Sequence, residues 1–198
     1  KAGLRVPGPP RALPIVVKPA DQGSSVGVSI VRAMSDLPDA ITKALQFSRR
    51  LLVQQFIAGR ELTCGVLDID GVATPLPPTE IVPVDALFFD FDAKYKPGGS
   101  REITPPQLPP DVITAIQKIT LVAHRAIGAC GMSRTDMILA PTGELFVLEI
   151  NTIPGMTATS LLPQAAQAAG ISFPQLLDHI IAAAQRRQLA TSHEPLVY

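Results

Sequence analysis

Apolar and polar positions along the chain alternate with two different periods, and the switches between them predict the elements. Leu13–Lys18 (LPIVVK) is a short β-branched run that predicts a buried strand, and Val28–Val31 resumes a strand after a polar loop. Over Ser35–Ser48 the spacing becomes helical, with Leu37, Ile41, Ala44 and Leu45 on one stripe. Ser35 or Asp36 suits its cap, and Pro38 its first turn. Leu51–Phe56 predicts another buried strand. Glu61–Ile69 and Val72–Pro75 are two more, joined by the turn pair Asp70-Gly71. Thr79–Val82 and Arg101–Thr104 are short strands on either side of Pro83–Gly99, a stretch long enough to be a functional lid or a disordered excursion.

Further along, Pro109-Pro110-Asp111 opens a helix running to about Ile127, closed by Gly128 and Gly131. Its apolar face is Ile113, Ile116, Ile119 or Thr120, Ala123 and Ile127, which leaves His124 as a surface or boundary residue. Met137–Ala140 and Leu145–Ile150 flank the turn formers Pro141-Thr142-Gly143-Glu144 and predict a hairpin. Ser160–Ala169 is a short helix, and Ser172 to about Arg187 a last one. The core stripe of this last helix is Phe173, Leu176, Leu177, Ile180, Ile181 and Ala184, and residues 188–198 read as a frayed tail.

The hairpin holds the densest chemistry. With its turn centred between Thr142 and Gly143, Asp136 faces Glu149 and Arg134 faces Asn151. Period two then puts all four side chains on one face. Facing carboxylates repel, and a divalent cation would reverse that cost, since Asp, Glu and Asn oxygens are hard ligands suited to magnesium. An exposed polar face without metal fits the pattern equally, and a one-residue slip would dissolve the face.

Composition narrows the rest. At 198 residues with 46% apolar residues and no Trp, the chain can bury a core of Leu, Ile, Val and Ala. Lys plus Arg and Asp plus Glu are 17 each, so no general nucleic-acid or anionic-membrane surface is expected. No apolar run approaches the length of a membrane span. Cys64 and Cys130 stand alone, without a CxxC or a nearby His pair, and read as buried free thiols of a reducing compartment. The opening KAGLRVPGPPRALP has neither signal-peptide character nor the look of a domain start, so the chain is expected to be the interior of something longer. Between the first two strands, Ala20–Gly27 carries Gly23, Ser24, Ser25 and Gly27 in the form of a flap whose amides and hydroxyls can donate to an anion, with Lys18 adding a point charge. An ordinary polar turn explains that loop as well, and no Walker pattern follows it.

Five stretches in order, VVKPADQGSSVGV, QQFIAGREL, FDFDAKY, GMSRTDMI and LEINTIPGMTATSLLP, closely resemble the D-alanine–D-alanine ligase family of the ATP-grasp superfamily. The resemblance spans roughly Leu4 to Arg187. It implies an α+β, ATP-grasp fold: the end of the central subdomain over 1–57, a C-terminal catalytic subdomain of mixed or antiparallel sheet flanked by helices over 58–187, and the tail. It also implies ATP held between the two subdomains, and an N-terminal domain and the start of the central one upstream of Lys1.

Roles follow residue by residue from the resemblance. Lys18 matches a lysine on the ATP phosphates. Ser24 and Ser25 lie in the loop over those phosphates, Ser24 also near the first D-alanine. Gln54, Gln55, Phe56 and Ile57 match the strand that reads adenine, although many relatives have Glu where Gln54 stands. Glu61 matches the ribose-binding acid. Lys94 and Tyr95 match the pair on the mobile loop, and tyrosine there goes with D-alanyl-D-alanine rather than D-alanyl-D-lactate. Asp136, Glu149 and Asn151 match the ligands of magnesium or manganese, two ions. Arg134 matches the arginine that steadies the transferring phosphoryl group, Gly155 the backbone donor to the oxyanion, and Ser160 and Leu161 the carboxylate pocket of the second D-alanine.

The implied activity is ATP-dependent joining of two D-alanine molecules through a D-alanyl phosphate, for peptidoglycan synthesis in the cytoplasm. No nucleic acid or membrane takes part, and the full-length enzyme is compatible with a homodimer. The 198-residue chain is expected to be inactive alone, because the upstream groups are missing. Another ATP-grasp carboxylate–amine ligase, or a non-catalytic nucleotide-binding module, are the alternatives.

Overall fold

A computed structural model of the chain describes residues 12–23, 25–83, 100–157 and 159–191. They fall into two compact units, one from residues 12–58 and the other from 59–82 with 101–191.

The first unit is a three-stranded sheet with one helix. Its strands are β1 (Ile15–Pro19), β2 (Ser29–Val31) and β3 (Leu51–Gln55), in the order β2-β1-β3, with β1 antiparallel to both neighbours. Helix α1 (Leu37–Leu45) packs Ala40 and Ala44 on Ile15, Val17 and Val31. A single 3-10 turn, Met34–Asp36, precedes it, and the Ser35 hydroxyl donates to the Asp36 carboxylate instead of capping a helix amide. The apolar stripe of α1 is narrower than its sequence pattern: Leu37 and Ile41 pack at its margin, while Leu45 stays exposed.

The second unit is built around β4 (Arg60–Ile69). Its other strands are β5 (Val72–Pro75), β6 (Thr79–Pro83), β7 (Ser100–Ile103), β8 (Met132–Leu139) and β9 (Leu145–Asn151). The order is β7-β6-β4-β8-β9, and β5 also pairs with β4. At ten residues β4 is long enough to serve two partners on one edge, β6 against Glu61–Thr63 and β5 against Val66–Ile69. β8 runs antiparallel along its other edge from Arg60 to Leu67. The β4–β5 turn has Asp70 at φ 52° and Gly71 at φ 87°, the two positive angles that a primed hairpin turn requires.

Both faces of this sheet are covered. Leu62, Cys64, Met137 and Leu139 meet Ile116 of helix α2 (Pro110–Ala126) on one side. On the other, Leu67 and Leu76 meet Leu162, Ala165 and Ala166 of α3 (Leu161–Ala168) and Leu176 of α4 (Phe173–Thr191). A side chain at Gly65 would put its Cβ 2.5 Å from Leu162 Cδ1, so glycine there is what lets α3 lie against β4. Each fully buried leucine of these clusters contributes about 2 kcal/mol through burial.

Five expectations change. His124 is buried, and its Nδ1 lies 2.7 Å from Ser133 Oγ, because α2 turns Thr120, Ala123 and His124 onto the sheet and leaves Ile127 exposed past its end. Cys64 is buried, but Cys130 is exposed, in the connection between α2 and β8. β3 is an edge strand of its sheet, and Leu52 and Val53 stay exposed where a buried strand was expected. Helix α4 runs on to Thr191, through the first residues of the expected tail. Finally, the α4 stripe is only half covered: Leu176 and Ala183 are buried and Ile180 packs at the core margin, whereas Phe173, Leu177, Ile181 and Ala184 are exposed.

Two measurements check this packing. Burial pushes the Cys64 thiol up to about 12, so it stays protonated and shielded. A thiol reagent at neutral pH should therefore titrate one cysteine, Cys130, in the folded chain and two in denaturant; two fast thiols without denaturant would contradict the packing. Burial, reinforced by Arg125 and partly opposed by Asp68, holds His124 below its ordinary 6.5. The folded state thus favours the neutral ring, and its stability contribution is complete above about pH 6.5, where the unfolded histidine is neutral as well. That contribution falls as the pH drops from there toward the lowered folded value. The melting temperature should decline between pH 7.5 and 5.5 more steeply for the native chain than for His124→Gln; parallel curves would exclude His124 as the cause.

Candidate active site

β8 alternates along its length. Ser133, Thr135, Met137 and Leu139 are buried, and Arg134, Asp136 and Ile138 turn to the opposite face. Period two on β4 adds Glu61 and Thr63 to that second face, since Glu61 pairs with Ile138 and Thr63 with Asp136. β9 supplies Glu149 opposite Asp136, and Asn151 opposite Arg134. The expected cross-strand partners are therefore present, but they arise differently. The turn is centred on Thr142, with Leu139 paired to Leu145, and Gly143 at φ 85° closes a three-residue loop. A bulge then intervenes: Met137 pairs with Val147 and Asp136 with Glu149, so Leu148 is the extra residue.

Asp136 is the hub of this face. Arg134 forks onto it, Nε to Oδ1 at 2.9 Å and a terminal guanidinium nitrogen to Oδ2 at 2.8 Å. The Thr63 hydroxyl donates to the same Oδ1 at 2.6 Å. Sequence reasoning missed Thr63, although counting two residues on from Glu61 along one strand would have found it. The fork leaves Asp136 with its charge offset beside a facing carboxylate, and bidentate pairs of this kind are among the stronger polar contacts. Two carboxylates and the Asn151 amide present hard oxygen donors on one partly exposed face, and this donor set fits magnesium. Among the described residues no three His, Cys, Asp or Glu side chains gather, so an ion here depends on Asn151 as its third protein ligand.

Just below the site, Arg60 forks onto Glu80 with both contacts at 2.6 Å and also donates to the Gln107 carbonyl. The Glu80 hydrogen bond holds the guanidinium above its usual range. This pair ties the start of β4 to β6 and so fixes where Glu61 begins.

After Asn151 the chain turns through Pro154, Gly155 and Met156 to α3. Ser160 precedes the helix, and its Oγ accepts the Thr157 N–H at 3.0 Å and lies 2.8 Å from Thr157 Oγ1. A Cβ on Gly155 would come within 2.8 Å of that Oγ, so the backbone at Gly155 sits where no other residue fits without displacing Ser160. Gln164, also unforeseen, donates to the Thr159 carbonyl at 2.9 Å and to Glu102 at 2.6 Å, tying this loop to β7.

In the first unit, cross-strand pairing puts Lys18, Val16, Leu52 and Gln54 on the face turned away from α1, with Lys18 half-buried. Gln55 points the other way, donating to the Ala12 and Pro14 carbonyls at 3.0 Å each, and the Phe56 N–H is bonded to the Pro14 carbonyl. These bonds fix the strand end that leads to Ile57. The Arg32 guanidinium lies 6.0 Å from the Phe56 ring centre. Ser25 adopts φ 59° in the glycine-containing loop, and Gly27 at φ 71° lies against Phe47 and Pro19, where a Cβ would clash. Ser24, Lys94 and Tyr95 lie outside the described residues.

Comparison with known proteins shows the family and the fold. The family model described as D-ala D-ala ligase C-terminus matches residues 10–182. A D-alanine–D-alanine ligase of Gloeobacter violaceus is 52% identical over 168 residues, covering 85% of this chain and 54% of the relative. That of Syntrophobacter fumaroxidans is 50% identical over 170 residues, with 85% and 54% covered. The chain thus spans about half the length of these curated relatives. Among solved structures, the D-alanine–D-alanine ligase of Coxiella burnetii superposes with a TM-score of 0.78 at 31% identity, covering 90% of this chain and 47% of that one. The VanG D-Ala:D-Ser ligase of Enterococcus faecalis gives 0.76 at 34%, with 86% and 49% covered. With the family model matching most of its length, and with a fold shared with these ATP-grasp ligases, the chain belongs to the D-alanine–D-alanine ligase C-terminal family.

Proposed function

We propose that this chain is the catalytic C-terminal part of an ATP-dependent ligase that joins two D-alanine molecules, and that it acts only with the segment preceding it in its relatives. The observation that carries this reading is the single face of the β8–β9 hairpin, where Arg134, Asp136, Glu149 and Asn151 stand in register beside Glu61 and Thr63.

A carboxylate is a poor electrophile. Phosphoryl transfer from ATP turns the first D-alanine carboxylate into an acyl phosphate, which the amine of the second attacks with loss of phosphate. This chain's part is to place charge and exclude water. Lys18 adds a fixed positive charge on the nucleotide phosphates, with Ser24, Ser25 and Lys94 supporting it. Gln54, Gln55, Phe56 and Ile57 hold adenine, the Gln55 side chain by bracing the strand, and Glu61 accepts the ribose hydroxyls. Asp136, Glu149 and Asn151 would hold magnesium, which when bound screens phosphate charge. Arg134 and the Gly155 N–H face the oxygen that becomes anionic as the amine adds. One such donor is worth about 3–4 kcal/mol in comparable acyl-transfer sites. Ser160 and Leu161 take the carboxylate of the second amino acid at the start of α3, where helix amides are unpaired.

Tyr95 favours a dipeptide product, because a neutral phenol does not repel an incoming ammonium group. The VanG neighbour is a D-Ala:D-Ser ligase, so D-serine can be a second substrate within this fold. The proposed reaction consumes ATP, which places it in the cytoplasm. No described helix is long and apolar enough to cross a membrane.

The direct test is ADP release dependent on D-alanine and magnesium. The enzyme extended to the length of its relatives should release ADP and form D-alanyl-D-alanine, and the 198-residue chain alone should not. In the extended enzyme Asp136→Asn should abolish turnover; full activity with unchanged magnesium dependence would refute the metal role. Thr63→Val tests the hub more gently. Losing the hydroxyl that orients Asp136 should raise the magnesium concentration for half-maximal rate about 10–100-fold, the usual cost of a group that orients a ligand. An unchanged magnesium requirement would show that Thr63 has no part in the site.

A further inference from the structure

Helix α3 begins without the cap its sequence offers. Ser160 stands at the N-cap, yet its hydroxyl bonds no amide of the helix. It turns back instead, accepting the Thr157 N–H at 3.0 Å and lying 2.8 Å from Thr157 Oγ1. Pro163, in the first turn, has no N–H to be capped. No N-cap side chain therefore covers the Leu161 and Leu162 amides, the donors that the proposed pocket for the second amino acid offers to a carboxylate. The position of Ser160 depends on the peptide bond that leads into the helix, Thr159–Ser160. Its N–H donates to the Thr157 carbonyl at 2.9 Å, and its carbonyl accepts from Gln164 Nε2 at 2.9 Å. The peptide is thus clamped at both ends, and rotating it would move Ser160.

Gln164 is itself held from outside the loop. The same Nε2 donates to the Glu102 carboxylate on β7 at 2.6 Å. Just past the end of β7, Thr104 Oγ1 lies 2.6 Å from that of buried Thr79 at the start of β6, which pins this stretch to the sheet. A side-chain amide nitrogen has two N–H donors, and the Thr159 carbonyl and the Glu102 carboxylate take both. Carbonyls and carboxylates only accept, so the place between them suits a donor and no other group. Glu102 is exposed and Gln164 half-buried, so water competes for these bonds and they add little to stability. What they set is the orientation of the Thr159–Ser160 peptide. We infer that Gln164, aligned by Glu102, is a positioning residue for the second amino acid, holding that peptide so that Ser160 and Leu161 meet the incoming carboxylate. The inference rests on the proposed ligase reading and deepens it, and Gln164 acts through Ser160 rather than on the substrate.

The enzyme extended to the length of its relatives provides the test. ADP release against D-alanine concentration, fitted with a two-site rate law, separates the constant for the second amino acid from that for the first. Gln164→Glu sets a third acceptor against the other two and should raise the second constant about 10-fold or more. The first constant, the KM for ATP and kcat at saturating D-alanine should each stay within about 3-fold, since no group that meets them is changed. Gln164→Lys keeps the donors and should return the second constant to within about 3-fold of the native value. In the 198-residue chain either variant should shift the melting temperature by less than about 2 °C, because the pair is open to water. An unmoved second constant in Gln164→Glu, an equal rise in the KM for ATP, or the same loss in Gln164→Lys would overturn the assignment. So would a Gln164→Glu chain melting about 5 °C or more below the native one, which would make the residue a structural support. Absence of ADP release from the extended native enzyme sinks the ligase reading and this inference with it, whereas turnover with an unmoved second constant sinks the inference alone.

Discussion

The arrangement of the site depends on one register change. Next to its turn the β8–β9 hairpin pairs Leu139 with Leu145. Carried through unbroken, that register would set Asp136 against Leu148 and Thr135 against Glu149. Thr135 lies on the face buried under α2, so Glu149 would enter the apolar layer made by Leu62, Cys64, Ile116 and Met137. An unpaired carboxylate in such a place costs several kcal/mol. The extra residue at Leu148 removes the conflict by returning Glu149 to the polar face opposite Asp136. The bulge therefore serves the core and the site together. It keeps charge out of one face and gathers it on the other.

Much of this was legible in the sequence. Period two found the strands, and the cross-strand partners of Asp136 and Arg134 came out right from an assumed turn centre that was itself off. Two errors cancelled: the real turn is centred on Thr142, half a residue from the assumption, and the bulge restores the shift. Nothing in Leu145–Asn151 marks a bulge, which usually shows in sequence only when a glycine takes the strained position. His124 was misplaced for a related reason. A helix stripe shows which direction is apolar, but not that the opposing strand offers Ser133 to satisfy a buried ring. Cys130 failed because isolated cysteines are usually buried, and position in a short connector outweighs that tendency.

The α4 stripe is the most instructive disagreement. Its periodicity was read correctly, but periodicity measures how much apolar surface a helix offers, not how much its own chain covers. α3 and the end of β4 occupy only the side bearing Leu176 and Ala183. When the apolar arc of a helix is wider than the surface packed against it, the surplus stays exposed.

The polar face also explains how the site can be organised before any ligand arrives. Asp136 and Glu149 are directly opposite, a pairing that destabilises a bare hairpin. Here Arg134 stands on the same strand two residues from Asp136 and closes both of its oxygens in a fork, while Thr63 fixes one of them from β4. The guanidinium supplies within the protein a positive charge that offsets the repulsion between the two facing carboxylates. Oδ1 of Asp136 accepts from both Arg134 and Thr63, but Oδ2 accepts from Arg134 and keeps a second lone pair, so the fork does not close Asp136 to a ligand. In the proposed reaction the same arginine that steadies the hairpin stands beside the transferring phosphate. Its two tasks need no large movement, only a change in which oxygens its donors serve.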